Sequence, residues 1–267
     1  MAQHVTLTTD FGARDWFVGA VKAVLLRKVP RATIVDLSHA LPAYDVRSAA
    51  YFLGSVFHLF PPGTVHLAVV DPGVGSERAA IAAEIDGRFF VGPDNGLITY
   101  CLQGARYARF VQLEQRRNLS PTFHARDLFA PAAADLCAGC SLDTVGRAIA
   151  TVRVLEVDHP LFDPATGIVR GSVVYVDGFG NLITDLPNFL LQRANVFLHG
   201  RPLRTVACYA DGQPGELVAV PGSNGTIEIA VREGSAQEQT GAGMGTEVVA
   251  SLNQAAETKA PATIDRR

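Results

Sequence analysis

The strongest constraint on the fold is a change in hydrophobic periodicity part-way along the chain. From residue 3 to about 150, short apolar runs alternate with segments in which apolar residues recur every three or four positions. This alternation predicts strand–helix–strand units whose strands pair in parallel through right-handed crossovers. Beyond about residue 167 the helical periodicity disappears, and short apolar runs follow one another between glycines. That second pattern is typical of a small barrel or sandwich.

The sequence therefore predicts an α/β protein with two domains. Residues 1–155 are predicted to form an N-terminal layered α/β domain with a mostly parallel sheet, and residues 168–252 a small C-terminal β-barrel. The intervening stretch 156–167, EVDHPLFDPATG, contains two prolines and one glycine and is predicted to be a linker. The polar, alanine-rich tail 253–267 is predicted to be frayed.

Charge and composition exclude several classes of protein. The apolar content is 48%, and 23 basic residues face 26 acidic ones without long runs of either sign. The high apolar content excludes a disordered chain. The balanced charge excludes a nucleic-acid binder with a basic surface. We expect no membrane association, because there is no run of eighteen apolar residues and no secretory leader pattern. The cytoplasm is the expected location.

The cysteines do not indicate a metal site. Only Cys137 and Cys140 have metal or redox spacing, and no second ligand pair lies nearby in the sequence. The other two cysteines are Cys101 and Cys208. We expect all four thiols to be reduced and no metal to be bound. A metallohydrolase that binds magnesium or manganese through scattered Asp and His residues remains an alternative.

The segment VVDPGVGSER, residues 69–78, ends a predicted strand in an unusual way. The strand stops at Asp71, turns through glycines and finishes on Arg78. The glycines suggest a phosphate loop, but a carboxylate at its mouth would repel a phosphate. The strands that end at Asp10 and near His39 are expected to reach the same sheet edge as the strand that ends at Asp71. Two carboxylates, Asp10 and Asp71, would then share that edge. A simple turn role for Asp10 and Asp71 is the alternative.

Similar polar clusters recur at the ends of other predicted elements. Each places charged or amide side chains at the end of an element, in four of the six clusters among glycines, a pattern that suits close backbone approach at a binding site. The six clusters are TTDFGARD, DLSHALPAYD, VVDPGVGSER, GPDNGL, TFHARD and YVDGFGNLITD.

These motifs, in this order, resemble those of the S-adenosylmethionine hydroxide adenosyltransferase family, formerly a family of unknown function. The family also contains fluorinases and chlorinases, and the resemblance spans residues 5 to about 250. It implies an N-terminal α/β domain, a C-terminal β-barrel and a homotrimer with sites between subunits. It also implies S-adenosylmethionine as substrate, adenosine and methionine as products, and no separate cofactor.

The resemblance implies catalytic roles for three residues. The motif positions of the hydrolytic members fall on Asp71, Arg78 and His124. A sulfonium substrate is positively charged and is attracted to a carboxylate. This explains why Asp71 stands at the start of a glycine-rich turn, where a phosphate-binding loop would have no acidic residue. Without the resemblance, Arg78 could cap a turn and His124 could be a polar residue paired with Asp127.

Substrate-binding positions are implied in both halves of the chain. Asp10 matches the family's ribose-binding aspartate, and Tyr44 matches an aromatic position beside the ribose. Two aromatic positions have structural alternatives: Tyr44 could be buried at a helix entry, and Phe179 could belong to the barrel core. Asn95 could have a purely structural role in the GPDNG turn. Asn224 stands where halogenating relatives tend to have arginine, so the contact to the methionine carboxylate is left open. The remaining matched positions are Asp177, Phe179, Asn181, Ser223, Glu228 and Val231.

Hydrolysis is favoured over halogenation within the family. Only about a dozen residues separate Arg78 from VGPDNG, whereas the halogenating branch has a long extra loop there. A halogenase that uses S-adenosylmethionine, or a sensor that binds it or adenosine without turnover, remains an alternative.

Overall fold

The computed structural model describes residues 4–114 and 119–253. The chain divides into two compact units, Met1–Glu156 and Val157–Arg267. Most of the tail that the sequence predicts to be frayed, residues 254–267, lies outside the described residues.

The first unit is built on a seven-stranded sheet with the order β2-β1-β3-β5-β4-β6-β7. Its strands are β1 (His4–Thr9), β2 (Thr33–Ser38), β3 (Val65–Val69), β4 (Ala80–Ile85), β5 (Arg88–Pro93), β6 (Ala108–Leu113) and β7 (Gly146–Ile149). Its helices are α1 (Phe17–Lys28), α2 (Val46–Phe57) and α3 (Ala130–Cys137).

Parallel and antiparallel pairings each occupy one half of this sheet. Strands β2, β1, β3 and β5 are parallel. Helices α1 and α2 form the crossovers among β1, β2 and β3, whereas β5 follows β4 directly. Strands β5, β4, β6 and β7 pair antiparallel. The hairpin between β4 and β5 turns at Asp86 and Gly87, both with positive φ, as expected for a two-residue turn. The α/β class is confirmed, with a mixed sheet.

Helices cover both faces of the sheet. Along β3, Val65, Leu67 and Val69 pack into the core that contains α1 and α3, whereas Ala68 packs into the core under α2. Because both faces are covered, the polar residues of the central strands are buried as well, and Thr6 of β1 is hydrogen-bonded to His66 of β3.

Two segments of this unit differ from what their sequence predicts. The sequence predicts a helix from Leu97, where the structure has a single 3₁₀ turn at Thr99–Leu102. It also predicts a helix over 127–139, DLFAPAAADLCAG, which begins earlier, as a π-helical turn at Ala125–Phe129 that leads directly into α3. His124 lies immediately before this turn.

The second unit is a closed seven-stranded β-barrel, which confirms the predicted barrel. The strand order β10-β14-β13-β12-β11-β15-β9 is closed by pairing between β9 and β10. The strands are β8 (Leu161–Asp163), β9 (Ile168–Val176), β10 (Leu182–Pro187), β11 (Ala194–Leu198), β12 (Arg201–Thr205), β13 (Leu217–Pro221), β14 (Thr226–Val231) and β15 (Glu247–Leu252). A short helix, α4 (Ala236–Thr240), precedes β15.

The segment 156–167 is not only a linker. Its residues Leu161–Asp163 form β8, which pairs antiparallel with β9 on the outside of the barrel. Pro160 and Pro164 flank this strand, in keeping with the restriction of proline to strand ends and sheet edges. Within the described part of the chain, no helix is long and apolar enough to cross a membrane.

Candidate active site

A cavity of about 290 Å³ lies at the edge of the first unit where β1 and β3 end. Asp10 and Asp71, which directly follow these strands, both line it, as the rule for open α/β sheets predicts. His124 and Tyr44 also contribute to the lining, together with apolar side chains that include Phe11, Phe17, Val74 and Phe123. The sequence-predicted carboxylates therefore do share one site.

Asp71 and Arg78 form a two-pronged ion pair across the turn. Arg78 Nε donates to Asp71 Oδ1 at 2.8 Å, and Arg78 Nη2 donates to Asp71 Oδ2. The side chains are only 5% and 11% exposed, respectively. Arg78 Nη1 donates to the carbonyl of Ala79 at 3.1 Å. Arg78 thus supports the site from within the turn and is not an exposed turn cap.

Gly75, in this turn, packs directly against the segment that carries His124. Its φ is +80°, and a Cβ placed there would lie 2.4 Å from the carbonyl oxygen of Pro121. Only glycine tolerates both the positive φ and this approach. The glycine at this position of the motif therefore allows two loops to pack closely together.

His124 completes a three-residue contact. Its Nδ1 lies 3.2 Å from Arg78 Nη2. Because a guanidinium only donates hydrogen bonds, Nδ1 must accept, and the proton of the neutral ring is on Nε2. Partial burial and the charge of Arg78 lower the pKa of His124, while the carboxylates of Asp71 and Asp127 act in the opposite direction. The ring is therefore neutral at neutral pH.

Asp10 lies in a loop that is held by backbone contacts. Its Oδ2 accepts a hydrogen bond from the amide of Tyr44 at 2.9 Å. Tyr44 has a φ of +66° and its side chain is 73% exposed. The alternative of a buried tyrosine at a helix entry is therefore wrong.

His39 braces the same loop on both sides of Asp10. Its Nδ1 is hydrogen-bonded to Thr9 Oγ1 at 2.8 Å, and its carbonyl accepts from the amide of Gly12 at 2.7 Å. Its Nε2 lies 3.1 Å from Asp36 Oδ1. The sequence placed His39 at a strand end but gave no sign of this role.

Asn95 shapes its turn, as the sequence suggested. Its Nδ2 donates to the carbonyl of Val70, the residue before Asp71, at 2.9 Å, and its Oδ1 accepts from the amide of Leu97. It thereby fixes the end of β3 against the turn after β5.

In the second unit, Asp177 organises the DGFGN turn. Its Oδ1 accepts from the amides of Phe179 and Asn181 at 2.9 Å, and its Oδ2 accepts from Asn181 Nδ2 at the same distance. The Phe179 side chain is 81% exposed, so its assignment to the barrel core is wrong. An exposed phenyl ring on a tightly held turn is suited to stacking.

Glu228 is a buried carboxylate in the barrel unit. It is 6% exposed and accepts a hydrogen bond from the hydroxyl of Tyr209. Burial raises the pKa of Glu228, opposed by the Tyr209 hydrogen bond and reinforced by the charge of Asp177. Burial and the same contact also raise the pKa of Tyr209. No sequence motif indicates Tyr209, which lies 19 positions from Glu228 along the chain.

The other two matched positions lie near Glu228 along the chain. Ser223 is exposed in the turn between β13 and β14, and Val231 is buried at the end of β14. The first unit thus holds Asp10, Tyr44, Asp71, Arg78 and His124, and the barrel unit holds Asp177, Phe179, Asn181, Ser223, Glu228 and Val231.

The four cysteines are free thiols, with Cys101 and Cys137 buried and Cys140 and Cys208 exposed. Among residues 4–114 and 119–253, no group of three or more His, Cys, Asp or Glu side chains is placed to hold a metal ion. The donor set at the cavity is instead a carboxylate held by an arginine beside a neutral histidine.

Family comparisons match both units. The model of the SAM hydroxide adenosyltransferase N-terminal domain matches residues 5–146, and that of the C-terminal domain matches residues 171–249. The chain belongs to the SAM hydroxide adenosyltransferase family. The resemblance seen in the sequence motifs is confirmed, and the chain is an enzyme of this family.

Relatives within the family carry two different names. An (R)-S-adenosyl-L-methionine hydrolase of Thermus thermophilus is 39% identical over 89% of this chain and 95% of its own length. The protein of the same name from Salinispora tropica is 37% identical over 89% of this chain and 93% of its own. A fluorinase of an Actinoplanes species is 26% identical over 85% of this chain and 90% of its own.

Solved structures show the same fold. An uncharacterized conserved protein from Thermotoga maritima matches with a TM-score of 0.85 and 34% identity, over 92% of this chain and 99% of that one. A conserved hypothetical protein from Thermus thermophilus matches with a TM-score of 0.77 and 38% identity, over 94% of this chain and all of that one.

Proposed function

We propose that this enzyme hydrolyses S-adenosyl-L-methionine to adenosine and L-methionine. The observation that carries the proposal is the contact of Asp71, Arg78 and His124 at the cavity that Asp10 also lines. The greater similarity to relatives named hydrolases, at 36–39% identity, than to those named fluorinases, at 24–26%, supports it.

In the proposed reaction, water attacks the ribose 5′ carbon in line with the departing sulfur. The C5′–S bond breaks with its electron pair going to sulfur, so methionine leaves as a neutral thioether and needs no general acid. The pKa of water, about 15.7, is far above that of any carboxylate. Asp71 therefore orients the water and accepts its proton late, as the C–O bond forms.

The neutral state of His124 suits this chemistry. Its Nε2–H can donate to the water oxygen and leave another lone pair for the attack. A charged imidazolium would place a second cation beside Arg78 and close to the positive sulfonium. Fixed positions and exclusion of bulk water supply much of the remaining acceleration.

Substrate recognition in the proposal uses both sets of residues. Asp10 accepts hydrogen bonds from the ribose hydroxyls, and Tyr44 borders the sugar. Phe179 stacks on a flat part of the substrate, in keeping with its exposure. We further propose a homotrimer in which residues of the barrel unit complete the pocket of a neighbouring subunit, as the family resemblance implies, with no cofactor. The methionine and adenine contacts come from Asp177, Asn181, Ser223, Glu228 and Val231.

Product analysis tests the proposed reaction. The enzyme is incubated with S-adenosylmethionine in the presence of chloride or fluoride, and adenosine, methionine and 5′-halo-5′-deoxyadenosine are separated by liquid chromatography. We expect adenosine and methionine in equal amounts. A halogenated nucleoside as the main product would assign a halogenase. Ligand binding without any release of methionine would assign a sensor, and either result overturns hydrolysis.

A further inference from the structure

The guanidinium of Arg78 contacts an aromatic ring in addition to its hydrogen-bond partners. Those partners are Asp71, His124 and the carbonyl of Ala79. Arg78 Cζ also lies over the ring of Phe129, 5.2 Å from the ring centroid. Phe129 is fully buried, and the lining of the cavity includes its neighbours His124 and Ala125 but not Phe129 itself.

The π-helical turn brings two of these contacts together. His124 stands at the start of the turn and Phe129 ends it, and the amide of Ala130 donates to the carbonyl of Ala125. In an α-helix, residues three or four apart share a face. The wider π turn lets two residues five apart contact the same guanidinium. Such turns are rare in proteins, and those that do occur are often found at functional sites.

We propose that Phe129 is a positioning residue for the reaction, which holds the guanidinium of Arg78 where one nitrogen reaches both Asp71 and His124. This inference rests on the proposed function, because it requires the three-residue contact to be catalytic. Phe129 touches neither the cavity nor the proposed substrate, so it acts only through Arg78.

The physical basis is the combination of a flat ring and a nearly buried cation. A cation over an aromatic face is attracted more strongly when it is desolvated, and the Arg78 side chain is only 11% exposed. An aliphatic side chain at position 129 fills space but does not provide this attraction.

The test compares Phe129→Leu with a matched control, Phe90→Leu. Phe90 is equally buried in the same unit but belongs to the core on the other face of the sheet. We expect Phe129→Leu to lower kcat by about 10-fold or more, on the scale of a desolvated cation–π contact, with KM within about 2-fold of wild type. Phe90→Leu should leave kcat nearly unchanged while losing similar thermal stability.

A second readout follows the titration of His124 by NMR of its ring nitrogens, without substrate. The charged groups that face His124 are Arg78, Asp71 and Asp127, and the charge of Arg78 is one of the two causes that lower the pKa of His124. If Phe129 holds Arg78 in place, Phe129→Leu should raise the pKa of His124 towards its ordinary value. Phe90→Leu should not change it.

The outcomes separate this inference from the proposed function. An unchanged His124 titration, or equal kcat in the two leucine variants, would overturn the role of Phe129 even in an active hydrolase. A wild-type protein that releases no adenosine would overturn the proposed function, while the titration would still report whether Phe129 holds Arg78. Phe129→Met provides a second variant if Phe129→Leu does not fold.

Discussion

Both carboxylate oxygens of Asp71 accept hydrogen bonds from Arg78, one from Nε and one from Nη2. Paired Arg–carboxylate contacts of this kind fix orientation as well as charge. The carboxylate is therefore aimed before any substrate arrives, and each oxygen keeps a further lone pair for water. Removing either partner would leave a largely buried charge uncompensated.

Asp71→Asn should abolish most turnover while keeping ligand binding. The amide cannot accept the proton of water, so we expect kcat to fall by about 10²–10⁴-fold, and affinity for adenosine to change much less. Adenosine release and calorimetry measure the two quantities. Asp143→Asn, which removes an exposed ion pair with Arg109, is the control. Turnover within a few-fold of wild type would exclude Asp71 as the proton acceptor.

Gly75→Ala should impair the site by separating its two loops. The new Cβ would meet the carbonyl oxygen of Pro121, and alanine disfavours a φ of +80°. We expect a lower melting temperature and a kcat reduced by at least about 10-fold, on the scale of a small misplacement of reacting groups.

Gly63→Ala is the matched control for Gly75→Ala. Gly63 has a φ of +87°, but a Cβ there meets nothing within 4 Å. It should lose stability from backbone strain and keep its kcat. Equal activity of the two alanine variants would show that the contact with Pro121 has no part in the site.

His39→Ala should weaken substrate binding more than it slows chemistry. It removes the side-chain contacts with Thr9 and Asp36 and so loosens the loop that presents Asp10. We expect KM for S-adenosylmethionine to rise several-fold, with a smaller change in kcat. His159→Ala, at an exposed position, serves as control. An unchanged KM would contradict the bracing role.

His66 should make the protein less stable in acid. Burial, followed by the charges of Arg88 and His58, lowers the pKa of His66 to about 3 from the ordinary 6.5. Between pH 6.5 and about 3, His66 therefore binds a proton in the unfolded chain but stays neutral in the folded chain. The free energy of unfolding is unaffected by this group above pH 6.5 and decreases as the pH falls towards 3, by at most about 1.4 kcal/mol per pH unit.

Urea unfolding between pH 4 and pH 7.5 checks this expectation. His66→Gln keeps a polar group beside Thr6, the hydrogen-bond partner of His66, but does not titrate. Its free energy of unfolding should fall less steeply with acid than that of wild type. Parallel curves for the two proteins would show that His66 is not the source.

Subunit mixing tests the proposed shared pocket. One chain carries Asp71→Ala, and the other carries Ser223→Ala together with Asn181→Ala. After subunit exchange, pockets that draw each half from a different chain would include some without either defect. We expect activity above that of either variant alone. A fully active monomer on sedimentation would remove the shared site.

Much of the fold follows from local sequence patterns. The helical stripes predict α1 and α2, and the Asp86–Gly87 turn predicts the β4–β5 hairpin, because a period or a turn type depends on a few adjacent residues. The order of the polar motifs was likewise enough to indicate the family. The sequence patterns do not indicate strands β10 and β12, because charged residues and prolines interrupt their apolar runs.

Tertiary structure alone decided how the site is held together. Arg78 and His124 are 46 positions apart, and the contact of Phe129 with Arg78 depends on a π turn that no periodicity predicts. The brace at His39, the contact between Tyr209 and Glu228 and the pairing of β8 also join residues whose partners are set by chain packing. Sequence patterns record which face of an element is buried, whereas the distance between two side chains on different elements is fixed only when those elements pack.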